Sequence, residues 1–260
     1  MIGAGFHAPG HPLALATDRR MRRAIVIGAS SGIGRALVRV LAEHDYEIGL
    51  AGRRTELMEA LGREIPTRAC IRSLDLARPQ EARRRLQELI DERGSVDLIV
   101  VSSGIGRSDP DWEEEHGILA VNVTGFAAVA NLAMSYFSQR GSGHLVGISS
   151  ISALRGLAAA YSGSKAFVST YLEGLRLKVR RLGLDVQVTD VKPGWVDTPM
   201  SAGRRGRFWV ASADEAARQI YEAIRNKRRH VYVTRRWRLV AWLLKSIPYP
   251  LLAWLAGKRR

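Results

Sequence analysis

AIVIGASSGIG, residues 24–34, joins an apolar run to a glycine-rich turn and the start of a helical pattern. Ala24 through Gly28 form a short, nearly continuous apolar run rich in β-branched residues, as a parallel strand buried on both faces requires. Gly28, Gly32 and Gly34 follow with the spacing G-x-x-x-G-x-G. Glycine lets the backbone turn tightly and approach a pyrophosphate with no Cβ in the way, and the helix behind it offers unpaired N–H groups and a positive dipole end. The segment therefore predicts a phosphate cradle made by Gly28, Ser30, Ser31, Gly32, Ile33 and Gly34. A tight turn without a ligand is the plainer alternative.

The alternation continues outward. Helical patterns at 32–43 and 55–65 flank a second apolar strand at 47–52, and further strands are expected near 69–74, 98–102, 145–149, 186–191 and 231–233. Seven strands with helical crossovers predict an α/β fold, a doubly wound, seven-stranded parallel sheet of Rossmann-like type. No repeat, low-complexity tract or Pro/Ser linker interrupts residues 21–233, which read as one domain. A flexible extension is expected at 1–20 and a basic, tryptophan-rich tail at 234–260. Residues 1–20 lack the basic and apolar regions of a signal peptide, and Met21 offers an alternative start. Residues 194–211 show no clear period and follow the sixth strand at the carboxyl edge, so a mobile substrate loop is expected there.

With 260 residues, 46% hydrophobic and 25% charged, the chain is excluded from the disordered, collagen-like and disulfide-stapled classes. Its one cysteine, Cys70, cannot form an intrachain disulfide, which fits a cytoplasmic protein. The net charge of +15 is unevenly distributed: residues 1–202 hold 25 basic and 22 acidic side chains, residues 203–260 hold 15 and 3. A basic segment appended to a nearly neutral body speaks against nucleic-acid binding. No metal is expected.

At the end of the second strand a dinucleotide fold presents an acid to the ribose 2′-OH of NAD, or a basic residue to the 2′-phosphate of NADP. Here Arg53 and Arg54 stand at that point, and Glu47 lies too early in the strand to reach it. A guanidinium matches phosphate geometry bidentately, so NADP(H) is preferred over NAD(H). Further on, Tyr161 and Lys165 are four residues apart in a helical stretch, which sets a phenol beside an ammonium on one face. A free tyrosine titrates near pH 10, and use around neutrality asks for a shift of about 3 units, or about 4 kcal/mol. A nearby lysine and a cationic nicotinamide act in that direction.

Gly28, Gly32, Gly34, Asp75, Asn122, Ser150, Tyr161, Lys165 and Pro193-Gly194 occur in an order and spacing that resemble the short single-domain branch of the short-chain dehydrogenase/reductase family. The matching segments are GASSGIG, LDL at 74–76, NVTG at 122–125, GHLVGISS at 143–150, YSGSK at 161–165 and PGWVDTPM at 193–200. The resemblance implies an NADP(H)-dependent oxidoreductase that interconverts a ketone or aldehyde with an alcohol. It implies that Tyr161 exchanges the proton with the substrate oxygen and that Lys165 lowers the tyrosine pKa and holds the nicotinamide ribose. Ser150 would hydrogen-bond the substrate oxygen, and Asn122 would hold a water that links Lys165 to solvent. Asp75 with Leu76, and Ser103 with Gly104, would line the adenosine side, while Pro193, Gly194, Val196 and Thr198 would hold the carboxamide. A homodimer or homotetramer through helices at 111–139 and 160–181 is also implied. A catalytically silent NADP-binding scaffold is the alternative, and the complete Asn122, Ser150, Tyr161, Lys165 set argues against it.

Two departures stand out. Ser102-Ser103-Gly104 replaces the family's Asn-Asn-Ala-Gly, and the ten-residue loop between Ser150 and Tyr161 is short for the family, which leaves Ser149 as a rival to Ser150.

The tail carries Trp237, Trp242 and Trp254 and two apolar runs, 239–244 and 251–256, separated by Lys245, Pro248 and Pro250. Neither run reaches the roughly 20 residues of a spanning helix. Tryptophans edged by arginines suit a membrane interface, which would make the protein peripheral at the membrane surface. Packing of the tail on the same or another subunit is the other reading. Trp195, Met200, Phe208 and Trp209 in the loop at 194–211 favour a lipophilic substrate.

Overall fold

The computed structural model describes residues 21–107, 109–204 and 206–257, and the extension expected at 1–20 lies outside them. The first half alternates β1 (Arg22–Ile27), α1 (Gly32–Glu43), β2 (Tyr46–Gly52), α2 (Thr55–Glu64), β3 (Ala69–Ser73), α3 (Pro79–Arg93) and β4 (Leu98–Val101). A long helix follows as α4 (Trp112–Leu119), a π-helical segment (Ala120–Gly125) and α5 (Phe126–Arg140). The second half continues with β5 (Ser142–Ile148), a 3₁₀ turn (Ile151–Leu154), α6 (Ala159–Arg181), β6 (Asp185–Pro193), α7 (Ala213–Arg225), β7 (His230–Val233), α8 (Trp237–Ser246) and α9 (Tyr249–Gly257).

The seven strands lie in the order β3-β2-β1-β4-β5-β6-β7, each parallel to its neighbours. The order reverses between β1 and β4, and such a switch point opens a crevice at the carboxyl ends of the two strands. Strand β1 shows why its run is apolar throughout. Ala24 and Val26 face the core shared with α1, α2 and α7, where Leu37, Met58, Leu61 and Ile220 are fully buried. Ile25 and Ile27 face the opposite core of Leu86, Phe126, Phe137 and Leu172 from α3, α5 and α6.

The helix from Trp112 to Arg140 is long and apolar enough to cross a membrane by length and composition. Half of its most apolar stretch is buried, with Phe126, Val129, Ala130, Ala133 and Phe137 in the core, so it is a core helix of this sheet. Its start is capped by Asp111, whose Oδ1 accepts from the Glu114 amide at 2.9 Å.

Strand ends differ from the sequence reading by a few residues. Gly28 leaves β1 at φ +93°, and parallel pairing with Asp185, Val186 and Gln187 draws polar Ser142, Gly143 and His144 into β5. The tail is not separate from the body. Helix α8 buries Trp237 and Ala241 against it, and Arg155 donates to the carbonyls of Leu244 at 2.5 Å and Ile247 at 2.6 Å.

Candidate active site

A cavity of about 490 Å³ lies at the carboxyl ends of β1 and β4. It is lined by Gly28, Ser30, Ser31, Gly32 and Ile33 of the turn, by Arg53, Arg54, Asp75, Leu76, Ser103 and Gly104, and by Ser150, Tyr161, Lys165, Pro193, Gly194, Val196 and Thr198. All the site residues expected from sequence are thus gathered along one crevice except Gly34 and Asn122, which stand just behind its wall. A Cβ on Gly34 would lie 2.2 Å from the Gly28 carbonyl oxygen, so that glycine is required by the turn itself.

The turn is built to receive an anion. Gly28 combines its positive φ with an approach that would put a Cβ 2.6 Å from the Ser103 amide nitrogen. The serines replacing the family's asparagines therefore lie directly against the turn. Helix α1 has no acidic residue in its first turn, and its N-cap, Ser31, makes no side-chain capping bond. Its first amides remain available to a ligand. Arg54 folds over the turn, donating to Ser30 Oγ at 2.9 Å and Ser31 Oγ at 2.7 Å. Arg53 is exposed at the cavity rim and has no side-chain hydrogen bond or ion pair among the described residues. Glu47 is structural: its carboxylate accepts from Arg23 and from Arg93, both at 2.9 Å, and the Arg23 bond holds it below the usual carboxylate range. Asp75 Oδ1 accepts from the Ala77 amide at 3.0 Å and shapes the loop beside the cavity.

At the other end, α6 presents Tyr161 and Lys165 one turn apart. Ser150 lines the cavity with Tyr161, whereas the Ser149 hydroxyl is turned into the sheet, donating to Asp190 Oδ1 at 2.5 Å and to the Val191 carbonyl at 3.0 Å. Both serines border the cavity, and the Ser149 hydroxyl is the one committed to the sheet. Asp190 is fully buried and is ion-paired with Lys192. Burial pushes its carboxyl up, but bonds from His230, Lys192 and Ser149 outweigh this and hold it well below the usual range.

Lys165 is 5% exposed and its Nζ donates to the Ile148 carbonyl at 3.0 Å. Burial pulls its pKa down to about 8, with the Asp190 carboxylate opposing. Burial raises the Tyr161 phenol pKa, and the groups acting to lower it are Ser150 and Arg204. The Lys165 ammonium stands over the phenol ring, 5.9 Å from its centroid.

Asn122 occupies the π segment, a helical distortion frequent at functional sites. Only 1% exposed, it accepts from the Ile105 amide at 2.9 Å and donates to the Ile105 carbonyl at 2.8 Å and Ser164 Oγ at 3.0 Å. One amide proton and the side-chain oxygen thus pin the Ile105 segment that passes Gly104 and Gly106 beneath the tyrosine, and the other amide proton ties that segment to α6. A Cβ on Gly106 would sit 2.6 Å from the Tyr161 ring.

Several wall residues escaped the sequence reading. Arg204, in the loop after β6, donates to the Gly106 carbonyl at 3.1 Å and lines the cavity. The loop is closed at its base by Asp197 N to Ala211 O at 2.8 Å and Ala211 N to Trp195 O at 3.0 Å. Trp237, Val240 and Leu244 of α8 complete the wall, and Trp237 packs so tightly on Gly194 that a Cβ there would fall 1.9 Å from its ring. Their spacing of three and four is helical, and this was the available signal.

The sequence profile described as short chain dehydrogenase matches residues 22–207. An uncharacterized oxidoreductase of Myxococcus xanthus is 40% identical over 190 residues, covering 70% of this chain and 74% of that one. An uncharacterized oxidoreductase of Mycobacterium tuberculosis is 31% identical over 194 residues, covering 70% and 76%. Among solved structures, a short chain dehydrogenase/reductase from Burkholderia phymatum in complex with NAD superposes with a TM-score of 0.77 at 19% identity, covering 85% of this chain and 92% of that one. A short-chain dehydrogenase from Sphingobium yanoikuyae in complex with NADPH gives 0.74 at 21% identity, covering 88% and 97%. The chain belongs to the short-chain dehydrogenase/reductase family, whose members are NAD(P)-dependent oxidoreductases.

Proposed function

We propose that this oxidoreductase uses NADP(H) to interconvert a lipophilic ketone or aldehyde with its alcohol. The observation that carries the reading is the convergence of Ser150, Tyr161 and Lys165 on one end of a crevice whose other end holds a bare glycine turn and two arginines. A bound nicotinamide would supply or take up the hydride. The protein's residues handle orientation and the proton. Ser150 and Tyr161 hydrogen-bond the substrate oxygen, and Tyr161 Oη gives its proton to that oxygen in reduction or takes it back in oxidation. Lys165 holds the nicotinamide ribose hydroxyls. Asn122 fixes the Ile105 segment, and its main-chain carbonyl can anchor the water that joins Lys165 to solvent. Asp75, Leu76, Ser103 and Gly104 border the adenosine, and residues 193–198 border the carboxamide. Met200, Phe208, Trp237, Val240 and Leu244 make the substrate end apolar, which supports a lipophilic carbonyl compound over a sugar.

The test is NADPH consumption by the purified chain against aliphatic, steroidal, retinoid and quinone carbonyls. Turnover of at least one class is expected. NADPH binding without turnover across the panel, and equal NADPH binding by Tyr161→Phe, would favour a silent scaffold.

Direction should depend on pH. Burial keeps the Tyr161 phenol protonated through neutrality, so reduction has its acid in place, whereas oxidation needs the phenolate. Oxidation of the alcohol is therefore expected to accelerate as pH rises above neutral, while the reduction rate stays level near pH 7. Initial rates in both directions check this, and an oxidation rate that falls with pH contradicts it.

The two arginines divide the cofactor work. Arg53, uncommitted at the rim, is assigned to the 2′-phosphate, and Arg53→Ala should weaken NADPH binding by about tenfold to a hundredfold, from the loss of a charge-assisted bond worth about 1.5 to 3 kcal/mol, with NADH little changed. Arg54→Ala should weaken both cofactors, because Arg54 braces Ser30 and Ser31. Fluorescence titration with NADPH and NADH separates the two, and equal losses for Arg53→Ala would remove its selective role. A homodimer or homotetramer is also proposed, through α5 and α6, where Leu177 and Leu182 are exposed. Sedimentation velocity reads it directly.

A further inference from the structure

Helix α8 carries large apolar side chains on both faces, with Arg238 and Lys245 exposed among those of the outer one. Trp237, Val240, Ala241 and Leu244 face the body and the cavity, while Leu239, Trp242 and Leu243 point outward, with Leu239 68% and Trp242 70% exposed. A helix lying on a soluble protein ordinarily keeps its outer face polar, and one that is apolar all round is buried against something. Helix α9 continues the surface with Tyr249, Leu251 and Ala253 exposed and no charged residue along Tyr249–Gly257. Phe208 and Trp209 join it on the cavity side. Their rings lie 4.9 and 6.3 Å from that of Trp237, and the Arg236 guanidinium lies over Trp209. The result is an apolar surface far larger than scattered single residues, at the rim of the active-site crevice.

Charge identifies the occupant. Between Arg235 and Arg260 there are seven basic residues and no acidic one. A second copy of the same face would bring these like charges together, whereas an anionic lipid surface neutralises them. We propose that the outer face of α8, with α9 and the Phe208–Trp209 corner, docks the protein on an anionic phospholipid membrane surface. Leu239, Trp242 and Leu243 enter the headgroup boundary, and the arginines meet lipid phosphates. Because the inner face of the same helix lines the cavity, docking places the cavity mouth at the lipid boundary. That last point rests on the proposed lipophilic substrate, but the docking itself does not.

The experiment is co-sedimentation of the full chain, without cofactor, with vesicles of phosphatidylcholine alone or of equal parts phosphatidylcholine and phosphatidylglycerol, at low and high salt. The wild type should partition onto the anionic vesicles at low salt and be released by high salt. The double variant Leu239→Glu/Trp242→Glu should lower the partition coefficient by about tenfold or more. Neither residue lines the cavity, so NADPH binding and the far-UV spectrum should be unchanged, which shows that the variant is folded. Absence of binding to anionic vesicles overturns the proposal, as does binding indifferent to lipid charge or to the double substitution. A variant that dissociates an oligomer, with no vesicle binding by the wild type, would assign the face to a second copy instead. Activity enters none of these readouts, so a failure of the carbonyl-reductase reading leaves the result intact.

Discussion

Tyr161→Phe should lower kcat for carbonyl reduction by about 10²- to 10⁴-fold, the range for loss of a positioned general acid, while NADPH affinity changes little. The ring would remain where it is, because Gly106 leaves room for it and nothing more, and phenylalanine removes only the hydroxyl. Ser150→Ala should cost less, since the tyrosine can still deliver its proton to an oxygen that has lost one of two hydrogen bonds. The double variant should fall little below Tyr161→Phe alone, because residues that act on one oxygen as a unit are not additive. Stopped-flow rates at saturating NADPH, with NADPH binding measured separately by fluorescence, give the two quantities. A Tyr161→Phe protein with kcat within a few-fold of wild type would require another proton donor.

The parts of this site that were legible in sequence are those written in local spacing. Gly28, Gly32 and Gly34 mark a turn because the strand before them and the helix behind them are both visible in apolar periodicity. Tyr161 and Lys165 share a face because a helix brings residues four apart together. The order of strands adds the rest, since a doubly wound sheet places the ends of β1, β2, β4, β5 and β6 along one edge. What stayed hidden depends on contacts between distant segments. Arg155 reaches the α8 carbonyls across about 90 positions, and Trp237 fills the space left by Gly194, so a tail that reads as an appendage proves to be a wall of the cavity. The π segment at Asn122 is a one-residue slip in hydrogen-bond register, to which a 3.6-residue pattern is blind. The choice between Ser149 and Ser150 rests in sequence on the match of GHLVGISS to the family, which makes Ser150 the second serine. The bond from Ser149 to Asp190 of the neighbouring strand, which no local spacing reveals, is what supports the proposed role of Ser150.

The second large effect concerns Lys165, where function and stability should pull in opposite directions. Burial lowers its pKa from 10.5 to about 8, so below pH 8 the folded protein carries a buried ammonium at full cost. In the unfolded chain the lysine titrates near 10.4. Between about pH 8 and 10.5 the unfolded state therefore binds more protons than the folded one, and this residue's contribution to stability becomes less unfavourable as pH rises. At about 1.4 kcal/mol per unit the cost at neutral pH is about 3 kcal/mol, reduced in Lys165→Met by about 1 kcal/mol for the bond lost at the Ile148 carbonyl. Lys165→Met should thus be more stable than wild type by about 2 kcal/mol at pH 7 and no more stable, or slightly less, near pH 10.5. Its kcat should fall by about 10²-fold or more if Lys165 has the proposed roles of holding the nicotinamide ribose and linking the proton path. Denaturant unfolding of both proteins at pH 7, 9 and 10.5 measures the gap, and a gap independent of pH would show that burial of the ammonium is not its source. A stability gain of this size and pH dependence would mark Lys165 as a residue whose burial packing alone does not favour, as the role proposed for it at the cavity requires.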